Sequence, residues 1–143
     1  PVFGNGRCSL DYNMFGEDDP ILRAVESDLI NIMKKALNAD IFVADSFFNI
    51  YGAGAGIPPH THLNQLDREK SLRLGEQKFS LVYYLSVGDQ TCSDPGILKL
   101  YDPDKDILPD DGMIVIFPAN RRHSAIYNGK TDRVIIGVNF YGL

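Results

Sequence analysis

Cysteine is scarce in this chain. Cys8 and Cys92 are the only two among 143 residues, and their spacing is not one that metal sites use. No disulfide framework is expected from them, a single bridge being the most they could form, and a reducing, cytoplasmic setting fits such sparing use. Long apolar runs are missing as well. Nothing approaches the roughly 20 residues of a membrane helix, and no signal peptide is visible. The start at Pro1 rather than methionine suits a chain whose N-terminal piece has been removed or trimmed. A basic surplus is also lacking: 14 Lys and Arg against 19 Asp and Glu leave a net charge of −5. A partner held through phosphate neutralisation needs the opposite sign, so nucleic acid is not expected. Arg121-Arg122 is the sole adjacent basic pair near the histidines discussed next. What remains is 44% hydrophobic and 23% charged, the composition of a globular protein. Its length fits a single domain, residues 1–143, able to bury a real core.

Histidine is the scarce residue that carries information. All three fall in two short segments, His60 and His62 in Ile57-Pro-Pro-His-Thr-His-Leu63 and His123 in Phe117-Pro-Ala-Asn-Arg-Arg-His-Ser124. Imidazole is the commonest protein ligand for zinc, copper, iron and nickel. On an extended strand, residues two apart share a face at about 7 Å, close enough for both rings to reach one ion at roughly 2.0–2.1 Å. A third imidazole from a distant strand would close one face of the metal and leave the other open, as a reactive site requires. A scattered set of surface or core histidines is the plain alternative. The Gly/Pro-rich approach, His123 following a strand, and Arg133 ten residues beyond His123 favour the metal site.

Asp18-Asp19-Pro20 reads as a helix start, an acidic N-cap followed by proline at the first helical position. Leu22, Val25, Leu29, Ile32, Met33 and Ala36 then recur at helical spacing, and Asn38 suits a left-handed C-cap. This packing helix spans about 20–38. A barrel is expected over about 41–143. Ile41–Tyr51 is rich in β-branched and aromatic residues. Gly52-Ala-Gly-Ala-Gly56 breaks the pattern and is no phosphate loop, since the Lys and Ser/Thr of that motif are absent. Asn64–Lys78 has no period and reads as a mobile loop beside the site. Strands follow at Phe79–Val87, Gly96–Tyr101, Met113–Phe117 and Val134–Tyr141, and the aspartate-rich Asp102–Asp111 reads as turns. One helix and many short strands indicate a mainly β protein, sandwich or barrel.

These segments resemble the double-stranded β-helix (jelly-roll) proteins and, among them, the iron(II)/2-oxoglutarate-dependent oxygenases, from about Phe47 to Leu143. Tyr51 and the glycines before His60 look like the lead-in to the H-x-D motif of prolyl-hydroxylase-like enzymes. Phe79-Ser-Leu-Val-Tyr-Tyr-Leu-Ser86 resembles their Y-Y-L-N strand. Pro95-Gly-Ile-Leu-Lys-Leu-Tyr-Asp-Pro103 is similar to their G-G-x-L strand, and Asp111-Gly-Met-Ile-Val-Ile-Phe-Pro118 to the strand before the distal histidine. Val138-Asn-Phe140 looks like the uncharacterised bacterial and phage branch. The resemblance implies a dioxygenase, a hydroxylase of an unspecified substrate. His60, His62 and His123 would be the catalytic metal ligands, and Arg133 with Tyr84 and Tyr51 would bind the cosubstrate. Fe(II) and 2-oxoglutarate are the cofactors implied.

Arg133 suits the remote carboxylate of 2-oxoglutarate, because its planar fork binds a carboxylate through two parallel hydrogen bonds. The plainer alternatives are a rim arginine bonded to Asp132 or Asp111, and Tyr83 and Tyr84 as simple core residues. One departure matters: the family triad is two histidines and a carboxylate, and His62 occupies the carboxylate position. A neutral ligand leaves the metal one unit more positive, so Zn, Cu or Ni would compete better. Asp67, five residues on, is the alternative carboxylate. The spacing also resembles a cupin: Gly54, then five residues, then His60-Thr-His62 matches the first cupin signature, with Asp67 where glutamate is usual, and Gly112, Pro118 and His123 match much of the second. A cupin-like metalloenzyme without 2-oxoglutarate and a non-catalytic binding barrel are therefore further alternatives. Arg133 and the Tyr-Tyr-Leu and Gly-Ile-Leu segments favour the oxygenases. No motif specifies the primary substrate or an oligomeric state.

Overall fold

The computed structural model describes residues 6–8 and 11–143; Pro1, with the expectation attached to it, lies outside them. Strand β1 (Gly6–Cys8) precedes α1 (Pro20–Leu37), the one α-helix among the described residues. Eight further strands follow: β2 (Ile41–Tyr51), β3 (Ala55–His60), β4 (Lys78–Ser86), β5 (Leu98–Leu100), β6 (Lys105–Ile107), β7 (Ile114–Pro118), β8 (His123–Tyr127) and β9 (Arg133–Gly142). They form a five-stranded sheet in the order β1-β2-β9-β4-β7 and a four-stranded sheet in the order β3-β8-β5-β6, with every pairing antiparallel. This is the mainly β jelly roll with an N-terminal packing helix. Among the described residues no helix is long and apolar enough to cross a membrane.

The helix forms where its signals stand. The Asp19 carboxylate accepts hydrogen bonds from the Ile21 and Leu22 amides, Pro20 needs no partner, and Asn38 ends the helix at φ +50°. Leu22, Val25, Leu29, Met33 and Leu37 make its buried stripe, whereas Ile32 and Ala36 turn outward. Leu29 and Met33 are 3% and 0% exposed, contributing about 1.5–3 kcal/mol each.

Strand alternation gives the large sheet two different faces. Leu81, Ile136, Val138 and Phe140, with Phe79 and Tyr83 beside them, pack under α1. The opposite face carries Tyr51, Tyr84 and Ile135 and looks toward the small sheet; a separate cluster joins Leu98 and Leu100 of the small sheet to Phe117 of β7. The consecutive Tyr83 and Tyr84 therefore part company: the first is helix-side core and the second points into the jelly roll.

Four strands fall outside the expected set. β1, β6 and β8 are three to five residues long, too short for an alternation signal. β3 contains Pro58 and Pro59, which read as a stiff loop. It is tolerated because β3 lies at the edge of its sheet and its register shifts between Ile57 and His60. The segment 64–77 is also not free. Asp67 is buried, bonded to Lys78 Nζ at 2.7 Å, to the Tyr141 hydroxyl and to the Asn64 amide. That ion pair pins the segment to β4.

Candidate functional site

His60 ends β3 and stands directly across the ladder from His123, which opens β8. His62 lies two residues past the strand, its amide donating to the Ala119 carbonyl at 2.9 Å. The three rings converge: one nitrogen from each lies within 4.8 Å of the others, and His62 Nε2 is 3.0 Å from His123 Nε2. Two imidazole nitrogens at right angles about one ion, each about 2.1 Å from it, stand about 3 Å apart. The outer nitrogens are already engaged. His60 Nδ1 donates to the Pro58 carbonyl (2.7 Å) and His123 Nδ1 to the Arg121 carbonyl (3.2 Å). Both contacts place the proton on Nδ1 and leave Nε2 as a lone pair facing the cluster, the tautomer a metal ligand needs. His60 Nε2 is buried and has no hydrogen-bond partner among the described residues. An orphaned acceptor of this kind is costly unless something occupies the centre.

Burial keeps the cluster uncharged. It lowers His60 below the ordinary imidazole value, with the Pro58 carbonyl opposing. It lowers His123 to about 4, helped by His60, and His62 to about 3, helped by His123, His60 and Lys78. Neutral imidazoles are ready ligands at neutral pH. The donor set fits a divalent transition metal.

Behind His62 and His123 lies a cavity of about 70 Å³, also lined by Tyr51, Tyr84, Arg133 and Asn139. Arg133 begins β9 opposite Tyr51 and is 2% exposed. Its Nε donates to Val87 O (3.0 Å), Nη1 to Gly96 O (2.7 Å) and Nη2 to Pro95 O (2.6 Å). The rings of Tyr127 and Tyr84 lie 4.9 and 5.7 Å from its guanidinium carbon. Gly96 makes this possible: its φ is +81°, and a Cβ there would fall 2.0 Å from Nη1. Burial lowers the guanidinium's affinity for its proton, against the surrounding phenols.

Arg133 is thus no rim residue. Asp132 pairs instead with Arg7 at 3.1 Å, and Asp111 accepts the Val87 amide at 2.8 Å. Among the described residues no carboxylate pairs with Arg133, so a buried cation is compensated by carbonyl dipoles and aromatic rings alone, and two N–H bonds remain to it. That arrangement fits an anionic ligand in the cavity. Burial raises the Tyr84 and Tyr51 hydroxyls to about 12 despite Arg133, so both remain protonated donors; Asn49 also bonds Tyr51, at 3.1 Å.

All six expected site residues therefore border one region, His60 on its outer side and the others around the inner cavity. Asp67 stays apart, committed to Lys78. Polar residues on β9 and its neighbours complete the lining without having been singled out. Asn139 accepts from Ser80 Oγ (2.8 Å) and donates from Nδ2 to Asp45 (3.2 Å), and the same Nδ2 lies 3.5 Å from His62 Nδ1. The signal was available: Asn139 is the lone polar side chain in the run 134–140.

Residues 46–141 match the model of the 2OG-Fe(II) oxygenase superfamily, two-thirds of the chain. No match was found among curated proteins. Several solved structures are similar in fold. An oxidoreductase of the 2OG-Fe(II) oxygenase family from Burkholderia pseudomallei superposes with a TM-score of 0.62 at 13% identity, over 87% of this chain and 57% of that one. The chain thus spans little more than half of that relative. A prolyl-4-hydroxylase from Pseudomonas putida gives 0.62 at 21% identity, over 96% of this chain and 71% of its own. HygX from Streptomyces hygroscopicus, solved with nickel and 2-oxoglutarate bound, gives 0.70 at 10% identity, over 99% and 73%.

Proposed function

The chain belongs to the 2OG-Fe(II) oxygenase superfamily, and from that premise we propose that it is an iron(II)- and 2-oxoglutarate-dependent dioxygenase, a hydroxylase. His60, His62 and His123 hold the metal, Arg133 binds the far carboxylate of 2-oxoglutarate, and Tyr84 and Tyr51 border that carboxylate. One observation carries the reading. The converging imidazoles and a buried guanidinium lacking a carboxylate partner border the same cavity.

Iron(II) and 2-oxoglutarate, when bound, supply the oxygen-activating, decarboxylating chemistry. The chain's part is orientation and exclusion of water. The Pro58 and Arg121 carbonyls fix two imidazoles in the ligating tautomer. Arg133, held flat by three backbone carbonyls, offers its remaining N–H groups in a rigid fork. Tyr84, protonated through the physiological range, adds a neutral donor. His62 in place of a carboxylate leaves the site one unit more positive, which favours Ni or Zn as competitors; nickel occupies the structure of HygX.

The test is anaerobic titration of the iron(II)-loaded protein with 2-oxoglutarate, following the visible charge-transfer absorption of a chelated keto acid. The band should appear in the wild type and be absent from His123→Ala, which should also lose iron in equilibrium dialysis. Metal retention without a band would defeat the 2-oxoglutarate assignment. Failure to retain any divalent metal would defeat the triad.

A further inference from the structure

Outside the histidines, on the side away from Arg133, lies a second and larger cleft. Tyr12, Asp45, Phe47, His60, His62 and Asn139 are among its lining residues. Resting on the reading above, this is where a primary substrate would meet the metal. Asp45 is the informative residue. β2 carries an irregularity between Val43 and Asp45, where its register against β9 skips a residue. Before it, Ile41 and Val43 pack toward the helix. After it, Asp45, Phe47, Asn49 and Tyr51 line the cavities inside the jelly roll. A regular strand would have put Asp45 on the same side as Val43, under the helix. A bulge that inverts a strand's facing is a device for aiming one side chain.

The aimed group is a half-buried carboxylate with an incomplete shell. It accepts from Asn139 Nδ2 at 3.2 Å, and among the described residues no Lys or Arg pairs with it. Lys78 lines the same cleft, but it is committed to Asp67 at 2.7 Å. Asp45 also lies outside the group of residues able to reach a common ion, so it is not a fourth ligand. Tyr12 and Phe47 form an aromatic wall nearby, edge to face at 5.3 Å. A half-buried carboxylate beside aromatic faces complements a cation on an apolar stem. The net charge of −5 also attracts cations.

The geometry points to a primary substrate that carries a cationic nitrogen, an ammonium or guanidinium group, which Asp45 binds at the mouth of the metal site. The test uses zinc-loaded full chain with 2-oxoglutarate, titrated with n-butylammonium, n-butylguanidinium, 1-pentanol and pentanoate, with amide chemical shifts recorded by NMR. Both cations should shift the amides of Asp45, Phe47 and Asn139 and bind at least tenfold more tightly than the alcohol, with pentanoate weakest. Asp45→Asn should remove that tenfold preference, and Asp104→Asn, at an exposed turn, should keep it. Equal binding of cations and alcohol by the wild type, absence of shifts at the cleft, or a preference surviving Asp45→Asn overturns the assignment. The wild-type series decides by itself if the variant misfolds. The 2-oxoglutarate step separates the two readings. Normal cosubstrate binding without cation preference sinks only the substrate class, and cation preference without cosubstrate binding sinks only the oxygenase reading.

Discussion

Two cations are almost wholly buried on adjacent strands of the large sheet, and they are compensated in opposite ways. Lys78, at the start of β4, has its own carboxylate: Asp67 at 2.7 Å, itself bonded to Tyr141 and the Asn64 amide. Arg133, at the start of β9 and hence at the other end of the antiparallel pair, has three carbonyls and no carboxylate among the described residues. Unpaired buried charge is costly. A fold that supplies a counter-ion to one cation and withholds it from the other has a structural clasp at one end and, on the proposed reading, a receptor for an external anion at the other.

The clasp should give the largest effect. Asp67→Ala leaves Lys78 charged, buried and alone, and should lower unfolding free energy by about 3–5 kcal/mol, read from urea denaturation of the metal-free protein. Adding Lys78→Met should recover most of the loss, since an apolar replacement of both partners is often near neutral. A cost below about 0.5 kcal/mol, typical of surface positions, would end the distinction between the two ends. At the receptor end, the effect should fall on the ligand. Arg133→Met should weaken 2-oxoglutarate binding to the metal-loaded protein by about 10- to 150-fold, the equivalent of about 1.5–3 kcal/mol for a hydrogen bond to a charged group. Calorimetry checks it. Stabilisation of about 2.7 kcal/mol by cosubstrate at a hundred times its Kd should fall correspondingly in the variant at the same concentration.

The sequence foreshadows these two ends unequally. Arg133 was legible because it opens an apolar run at a fixed distance from a histidine, and His60-Thr-His62 because its neighbours are Gly and Pro. The helix was legible to its caps, since Asp19-Pro20 and Asn38 act locally. The Asp67–Lys78 clasp was not. Its members lie in a stretch of mixed charge where a buried pair and solvated residues look alike, and that stretch read as a mobile loop. β3 was hidden by its prolines, which an edge strand tolerates. Asp45 was hidden because a bulge reverses the alternation that assigns faces, and nothing in Val43-Ala-Asp45 announces one.

Gly96 sharpens the comparison from the backbone. Its amide framework delivers a carbonyl to Arg133 while its missing side chain makes room for the guanidinium. Gly96→Ala should cost about 1–2 kcal/mol for the left-handed conformation and displace the arginine. Cosubstrate affinity should therefore fall together with stability. Asp67→Asn, by contrast, should lower stability and leave the affinity of the folded protein within about twofold, since Asp67 does not line the inner cavity. Parallel loss of both properties in both variants would show the two ends to be one coupled unit.

Acid should separate the ends by the pH at which each gives way. In the metal-free protein burial holds His123 at about 4 and His62 at about 3, against about 6.5 in an unfolded chain. Between those limits the unfolded state binds protons that the folded state refuses, so stability falls as pH drops below about 6.5. For Asp67, burial raises the carboxyl, but Lys78, Tyr141 and the Asn64 amide outweigh it and hold the group below the usual 3.8. Its contribution is complete above that value and disappears only as pH falls further. The metal-free urea midpoint should therefore begin to decline near pH 6.5, with a second decline below about 4. His123→Gln should flatten the first descent, and Asp67→Asn the second. A midpoint constant from pH 7 to 4.5 would mean that the histidines are not gathered in a desolvated cluster, and the triad would fall with it.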